Sequence, residues 1–345
     1  MKKGNNSVGV ARQYCGTVGK VENGQVAVFA GLSTENSYAL IDAALFLPQE
    51  WTTDLARCKK AGIPKEFQGY KSKPELAIDI IKRQQKNGIR FDYIAADGLY
   101  GNSPDLLNNI DAMGLLFVVD VHSDQRVYLT APIIRIPEPK GIKGRKPTVP
   151  KIIDEVKAVE VRDLITNIPK EQWEKVTLRK GTKEVLLCSV YVKKIYTWEV
   201  GTPEAKERLL IIRKSNTSNG AVIKYALSNA REGKYTNQEL AQMQAQRYFI
   251  ERTFQDAKQQ AGMSQYQVRG WLAWHHHIAL VMLALEFILK EKILFKNEFP
   301  LLTANDIREV FINVYAVKGA TIDEVMKQMK HRHKQRKNEM QRHNE

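Results

Sequence analysis

The chain has 345 residues, of which 43% are hydrophobic, so it can bury a sizeable core, in two units rather than one, and wholesale disorder is excluded. Its 53 Lys and Arg against 38 Asp and Glu give a net charge of +15. This charge indicates a polyanionic partner, although ribosomal or membrane-surface association would produce the same excess. Three widely spaced cysteines, Cys15, Cys58 and Cys188, indicate a reducing cytoplasm rather than a disulfide frame or a zinc site. The most apolar run, residues 278–289, is too short to span a bilayer, so we expect a core helix and no membrane association.

The first 48 residues predict three extended runs, at about residues 7–15, 24–33 and 37–47, joined by short turns as an antiparallel meander. Asn23-Gly24 is the strongest hairpin signal in the chain. Residues 49–72 are polar and predict a loop with one helical turn. Pro74 then begins a helix that ends at Gly88.

The next segment predicts a strand, a helix and a second strand. FDYIAADGLYGN is an apolar strand that ends at Asp97, SPDLLNNIDAMG is a helix capped by Ser103, and LLFVVDVHS is a buried strand. Short links between these elements favour a parallel pair of strands. Asp97 is therefore expected at the carboxyl end of a strand, where the catalytic groups of α/β sheets cluster. A turn-forming Asp before Gly is the plainer interpretation of this residue taken alone.

Residues 125–232 predict nearly all β-structure, including a hairpin that turns at Lys180-Gly181 and strands at ERLLIIRKS and AVIKYALSNA. Near the start of this block, a segment rich in Pro and Gly predicts an exposed basic loop. Its clustered cations are Lys140, Lys143, Arg145 and Lys146.

Residues 247–258, RYFIERTFQDAK, predict a helix on which Arg247, Glu251 and Lys258 share one strip, because their offsets are four and seven residues. An apolar stripe is expected beside the strip, formed by Met243, Ile250, Phe254, Ala257 and Ala261. Glu251 would then stand at the edge of a buried face between two cations. An isolated Arg-x-x-x-Glu is more simply a solvated ion pair. A mostly buried helix follows, and then a helical basic tail after Ile322.

This order of elements resembles the ribonuclease-H-like core of DDE (Asp-Asp-Glu) transposases. Insertion-sequence transposases of this class carry the spacing Tyr-x2-Arg-x3-Glu-x6-Lys. Arg247, Glu251 and Lys258 match its last three members, whereas Gln244 stands at the tyrosine position. Between residues 3 and 310, six stretches in the right order are similar to the seven-oh-one family of bacterial insertion sequences: SVGVARQYCG, LFLPQEWTTD, ADGLYGN, YALSNA, RYFIERTFQDAK and YQVRGWLAWHHHIAL.

The resemblance implies an α/β fold in which a ribonuclease-H-like core, a mixed sheet with helices, is interrupted by an all-β insertion domain. Residues 1–124 and 233–295 would form the two parts of the core. Residues 125–232 would form the insertion with its basic loop, and residues 296–345 a helical, basic tail.

The resemblance further implies that Asp97 is the second catalytic carboxylate and Glu251 the third, both in one cleft beside a common pair of Mg²⁺ or Mn²⁺ ions. Two divalent ions about 3.5–4 Å apart can activate the nucleophile and stabilise the leaving oxygen of a phosphodiester. Such hard cations prefer carboxylate oxygens to histidine or thiolate. Arg247 and Lys258 would contact phosphates of the DNA.

The implied activity is metal-dependent cleavage and strand transfer of double-stranded DNA at the terminal inverted repeats of the element. The cytoplasm, in association with the nucleoid, is the expected location. Because two ends must be cut, a homodimer on the DNA is favoured. A non-catalytic DNA-binding remnant of such an enzyme and a host nuclease of the same fold are the alternatives.

The basic loop is expected to add sequence-independent affinity for DNA. Replacing Lys140, Lys143, Arg145 and Lys146 by alanine should flatten the dependence of the DNA dissociation constant on salt, because fewer counterions are released from the phosphates. Fluorescence anisotropy at several salt concentrations measures this slope. An unchanged slope would make the segment a solvated linker.

The resemblance also implies a first catalytic aspartate, on a central strand that precedes SVGVARQYCG. No residue among the first six is acidic, and Asp42 falls on a different strand. We therefore expect the chain to lack this aspartate and its strand, to be inactive alone, and to expose strand edges that favour aggregation. The test is to incubate the 345-residue protein with the ends of its own element and Mg²⁺ or Mn²⁺ and to measure DNA cleavage. Efficient cleavage would mean that Asp42 or Asp120 supplies the missing ligand.

Overall fold

A computed structural model of the chain describes residues 4–16, 19–34, 37–138, 146–180, 185–217, 220–316 and 321–342. The chain divides into two compact units. Unit 1 combines residues 1–89 with residues 248–345, and unit 2 consists of residues 90–247. Unit 1 is therefore built from two separate parts of the sequence.

Groups of strands and groups of helices follow one another along the chain, which gives a mixed α/β protein. The strands are β1 Ala11–Cys15, β2 Lys20–Gly24, β3 Ala27–Ser33, β4 Tyr38–Leu45, β5 Ile94–Ala96, β6 Phe117–Val121, β7 Arg126–Val127, β8 Ile134–Arg135, β9 Lys151–Ile152, β10 Val159–Glu160, β11 Glu174–Lys180, β12 Val185–Thr197, β13 Lys206–Thr217 and β14 Gly220–Ser228. The helices are α1 Gln49–Thr52, α2 Leu55–Lys60, α3 Lys73–Lys86, α4 Gly98–Gly101, α5 Pro104–Ala112, α6 Asn237–Gln246, α7 Tyr248–Gln259, α8 Trp271–Leu294, α9 Ala304–Phe311 and α10 Ile322–Arg342.

The strands of unit 1, among the residues described, form two antiparallel hairpins, β1 with β2 and β3 with β4. The predicted three-stranded meander is therefore wrong. Asn23-Gly24 lies at the end of β2 and pairs with β1, so it does not form the turn between strands. A two-residue hairpin turn of this kind needs a positive φ at its glycine. Gly24 is not among the glycines with positive φ, and the Asn23 amide instead donates to the carbonyl of Gly4 at 2.9 Å.

Helix α3 begins and ends where the sequence predicts. Ser72 caps it, and Glu75 bonds back to the Ser72 backbone as a capping box. Gly88, with φ of 77°, follows its end. The helix is fastened to β4 because Arg83 donates two hydrogen bonds to Asp42, at 2.8 and 2.9 Å. Asp42 is thus a structural residue of unit 1.

Helix α8 supplies much of the core of unit 1. Its buried side chains recur every three or four positions, as on one side of a helix: Trp271, Trp274, Ile278, Val281, Leu285 and Ile288. The first three pack with Leu45 and the fully buried Trp51. By length and composition alone, α8 is also the one helix in the described ranges that could cross a membrane.

Helix α7 packs on β4 and α8 through the predicted apolar stripe. Ile250, Phe254, Ala257 and Ala261 lie in one cluster with Leu40 and Val281. Met243 does not extend this stripe, because it belongs to α6 and packs in unit 2. The Tyr38 hydroxyl donates to the buried Asp256 at 3.1 Å. Burial, with the charge of Asp256, raises the pKa of Tyr38 to about 12, so this hydroxyl stays a neutral donor.

Unit 2 contains, in its described part, a six-stranded sheet in the order β11-β12-β13-β14-β6-β5. Only β5 and β6 are parallel, and the other neighbours are antiparallel. Helix α6 covers one face, where Leu240 and Ala241 pack on Val190 and Ile211. Strands β11 to β14 occur where the sequence predicts strands. They continue the sheet of β5 and β6, which gives a mixed α/β architecture. Residue 180 ends β11, and residues 181–184 of the predicted turn lie outside the described ranges.

Candidate active site

Asp97 directly follows β5 and caps the short helix α4. Its Oδ1 accepts a hydrogen bond from the backbone N–H of Leu99 at 3.0 Å, and the side chain is exposed. The prediction of a strand that ends at Asp97 is confirmed. Asp97 also has the turn-forming role, but only its Oδ1 takes part in it. Oδ2 has no hydrogen bond to the residues that the structure describes, so it can bind a ligand.

Two glycines of ADGLYGN allow α4 to lie against the end of β6. A Cβ on Gly101 would overlap with the backbone carbonyl oxygen of Asp120. A Cβ on Gly98 would lie 2.5 Å from Cδ2 of the His122 ring. Backbone atoms of the two segments can approach this closely only without a side chain. The glycines therefore hold the turn that presents Asp97.

Asp120 lies level with Asp97 on the neighbouring strand. The parallel register pairs Ala95 with Val118 and Ala96 with Val119, so one further step brings the two aspartates to the same edge of the sheet. Asp120 is 15% exposed and accepts hydrogen bonds from Gln244 at 2.8 Å and from Arg247 at 2.9 Å. Both of its oxygens are used, which agrees with a structural Asp120. Gln244, at the tyrosine position of the transposase spacing, thus holds this aspartate in place.

Arg247 lies between two helices, because α6 ends at Gln246 and α7 begins at Tyr248. The prediction that Arg247 shares one uninterrupted helix with Glu251 is wrong. Its ion pair with Asp120, on the sheet of unit 2, leaves the Arg247 side chain 18% exposed. A DNA contact by Arg247 stays a prediction.

Glu251 and Lys258 are both exposed on α7. They are seven residues apart and therefore share one side of this helix. The Lys258 ammonium lies 5.9 Å from the centre of the Phe254 ring. Glu251 belongs to unit 1 and Asp97 to unit 2, and their common cleft stays a prediction. Of the basic loop, Lys146 is exposed, whereas Lys140, Lys143 and Arg145 lie outside the described residues.

The candidate ligands suit a hard divalent cation, since Asp97 and Glu251 both offer exposed carboxylate oxygens. Across the described ranges, no group of three or more His, Cys, Asp or Glu that could hold a metal comes together. Asp42 and Asp120, the other carboxylates considered, are each bonded to an arginine. Asp97 in unit 2 and Glu251 in unit 1 each carry the oxygen donors that Mg²⁺ or Mn²⁺ prefers, and a metal shared by the two stays a prediction.

Residues 1–185, more than half of the chain, match the sequence model of the DDE superfamily endonucleases. The chain belongs to this family. It is also similar to a protein of Microchaete diplosiphon named "Probable transposase for insertion sequence element IS701", with 33% identity over 128 residues. This match covers 36% of the chain and 30% of the relative's length, and it confirms the resemblance to the seven-oh-one family. Asp97 lies within the 185 residues matched to the endonuclease family, and Glu251 lies beyond them.

The close approach of α4 to β6 gives a test of the Asp97 turn. G101A should destabilise unit 2 by about 1–3 kcal/mol, because the added methyl group overlaps with a backbone oxygen that cannot rotate away. Urea unfolding measures the loss. G69A is the matched control, since a Cβ there meets nothing within 4 Å. Equal midpoints for the two variants would contradict the tight packing at Gly101.

Proposed function

We propose that this protein is a DNA transposase that cuts and rejoins DNA at the ends of an insertion sequence. One observation carries the proposal. Asp97 presents an exposed carboxylate at the carboxyl end of β5, within the region that matches the DDE superfamily endonucleases. Similarity to a protein named as a transposase supports the same conclusion.

The proposed fold is a ribonuclease-H-like core made of residues 1–124 and 233–295. An all-β insertion at residues 125–232 interrupts it, and a basic helical tail at residues 296–345 follows. The parallel pair of β5 and β6, joined through α4 and α5, supports the core assignment. Between residues 125 and 232, the described residues form strands and short 3-10 helices but no α-helix, which supports the insertion.

Asp97 and Glu251 would hold the catalytic Mg²⁺ or Mn²⁺. When bound, the metal would supply charge stabilisation for the phosphodiester oxygens. Asp97 is oriented for this task by its bond to Leu99. Lys258 shares the side of α7 with Glu251 and would meet a phosphate as a point charge. Arg247 would contribute a second cation whose position is fixed by Asp120.

The proposed substrate is double-stranded DNA, namely the terminal inverted repeats of the element and the target. The net charge of +15 and the basic loop support it. A homodimer on the DNA and a cytoplasmic, nucleoid-associated location follow from the same assignment.

A second candidate is a DNA-binding remnant without cleavage activity. The observation that favours it is that Asp42 and Asp120, which could complete a set of three carboxylates, are both bonded to arginines. Strand-transfer products from an element-end duplex and a target plasmid identify a transposase. Hydrolysis without transfer identifies a nuclease, and binding alone identifies the remnant.

Binding of Mn²⁺ tests the two ligands directly. D97N and E251Q should each weaken it by at least about 10–100-fold, the loss seen when even an outer partner of a metal ligand is removed. Electron paramagnetic resonance of free Mn²⁺ measures the affinity. D124N is the matched control, because Asp124 is an exposed aspartate a few residues after β6. If D97N and E251Q bind Mn²⁺ like the unchanged protein, neither residue is a ligand.

A further inference from the structure

Arg213 is a buried cation without a partner among the residues that the structure describes. It lies on β13, is 8% exposed, and makes no hydrogen bond or ion pair with any residue in the described part of the chain. Its Nε is shielded from solvent and has no acceptor. Burial lowers the pKa of Arg213, although the nearby Cys188 and Asp120 oppose this shift. An unpaired charge held out of water is costly, so an anionic ligand would relieve it.

A second cation stands directly opposite. The antiparallel register of β13 and β14 pairs Arg213 with Lys224, so the two side chains share one face of the sheet. Like charges at this position, with Cβ atoms about 4.5–5.5 Å apart, destabilise a sheet. Lys224 is partly buried and makes no ion pair with any residue described in unit 2. Two strands thus bring together cations that repel each other.

The aspartate beside this pair is already occupied. Asp120 is the carboxylate that faces Arg213, but its oxygens accept from Gln244 and Arg247. Arg179 and Arg247 add further positive charge beside Arg213. Asp120 is thus already paired with Arg247, and among the described residues no ion pair joins it to Arg213 or Lys224.

The cations also lie near the Asp97 edge of the sheet. Beyond β14 comes β6, where Ala226 pairs with Asp120 and Tyr225 with Val121. His122 follows β6 directly, and its ring lies against Gly98, the neighbour of Asp97. Arg213 on β13, Lys224 on β14 and His122 after β6 therefore lie on neighbouring strands, and His122 lies next to the turn that carries Asp97.

We propose that Arg213 and Lys224 bind a backbone phosphate of the DNA strand that runs to Asp97. The inference rests on the proposed function and adds the residues that hold its substrate. The planar guanidinium of Arg213 can donate two parallel hydrogen bonds to phosphate oxygens, and Lys224 adds a point charge. Because the two side chains stand opposite each other, both can reach one phosphate group.

The salt dependence of DNA binding tests the contact. R213Q should reduce the slope of log Kd against log salt by about 0.9, the value for one phosphate contact in duplex DNA. K214Q is the control, because Lys214 is the next residue of β13, is exposed and points to the opposite face. It removes the same charge and should leave the slope unchanged. An unchanged slope for R213Q, or an equal loss for both variants, overturns the proposal.

A thermal measurement separates binding from a structural role. R213M removes the unpaired charge and keeps a long side chain, so the DNA-free protein should melt at the same or a higher temperature. Inorganic phosphate should raise the melting temperature of the unchanged protein and not that of R213M. A lower melting temperature for R213M with an unchanged DNA slope would make Arg213 structural. Stabilisation by phosphate with an unchanged slope would make this a site for free anions.

These readouts do not involve cleavage. If R213Q reduces the slope of log Kd against log salt but the protein never cuts DNA, the phosphate site stands and the proposed activity is refuted. If the protein cuts DNA in a metal-dependent way but R213Q leaves the slope unchanged, the activity stands and the phosphate site is refuted.

Discussion

The carboxylate of Asp120 connects the two parts of unit 2 on which the candidate site depends. Its oxygens accept from Gln244 and Arg247, which ties the end of α6 to the sheet. Its backbone carbonyl faces Gly101, which brings α4 against the same strand. Removing one partner of this half-buried ion pair would destabilise unit 2, because the remaining charge would be left without its counter-charge in a place that is only partly open to water. One residue therefore fixes both the turn of Asp97 and the last turn of α6.

This arrangement separates two aspartates that the sequence presents alike. Asp97 directly follows β5, Asp120 is the last residue but one of the parallel strand β6, and the register places the two level with each other. Asp120 accepts hydrogen bonds from two side chains and is neutralised by an arginine. Asp97 is exposed, and one of its oxygens accepts a hydrogen bond from the backbone of α4. A metal would have to compete with Arg247 for Asp120 but not for Asp97. Local partners, not strand position, thus distinguish a structural carboxylate from a candidate ligand.

Elements with strong local signals were predictable from sequence. The start of α3 is predicted by Ser72 with Glu75, and the start of α5 by Ser103 with Pro104. The strand before Asp97 follows from its apolar run. For residues 49–72 the sequence predicted a loop with one helical turn, because this stretch is polar and carries no clear apolar period, whereas the structure has the two helices α1 and α2. The cap that Asp54 forms on Arg57 and the apolar Trp51 were the signals that could have found them.

Features that depend on distant partners were not predictable. The break at Arg247 has no Gly or Pro to mark it, and the partner of Arg247 lies 127 positions away. The pairing of the first strands was predicted wrongly because Asn23-Gly24 is a sequence typical of a hairpin turn. In the structure both residues are part of β2 and pair with β1. Nothing in the sequence distinguishes Arg213 and Lys224 from surface cations. Only the register of β13 and β14 shows that they lie opposite each other.

The division of the chain affects how the protein folds during synthesis. Unit 2 is one uninterrupted stretch and can close as soon as it leaves the ribosome. Strands β3 and β4 emerge earlier, but helices α7 and α8, which cover Leu40, come only after residue 247. At 5–20 residues per second, the 158 residues of unit 2 impose a delay of roughly 8–30 s. During that interval Leu40 lacks the side chains of α7 and α8 that cover it in the folded unit, whereas Leu45 already has Trp51 and Cys58 beside it, so unit 1 can complete its core only after unit 2 has been made.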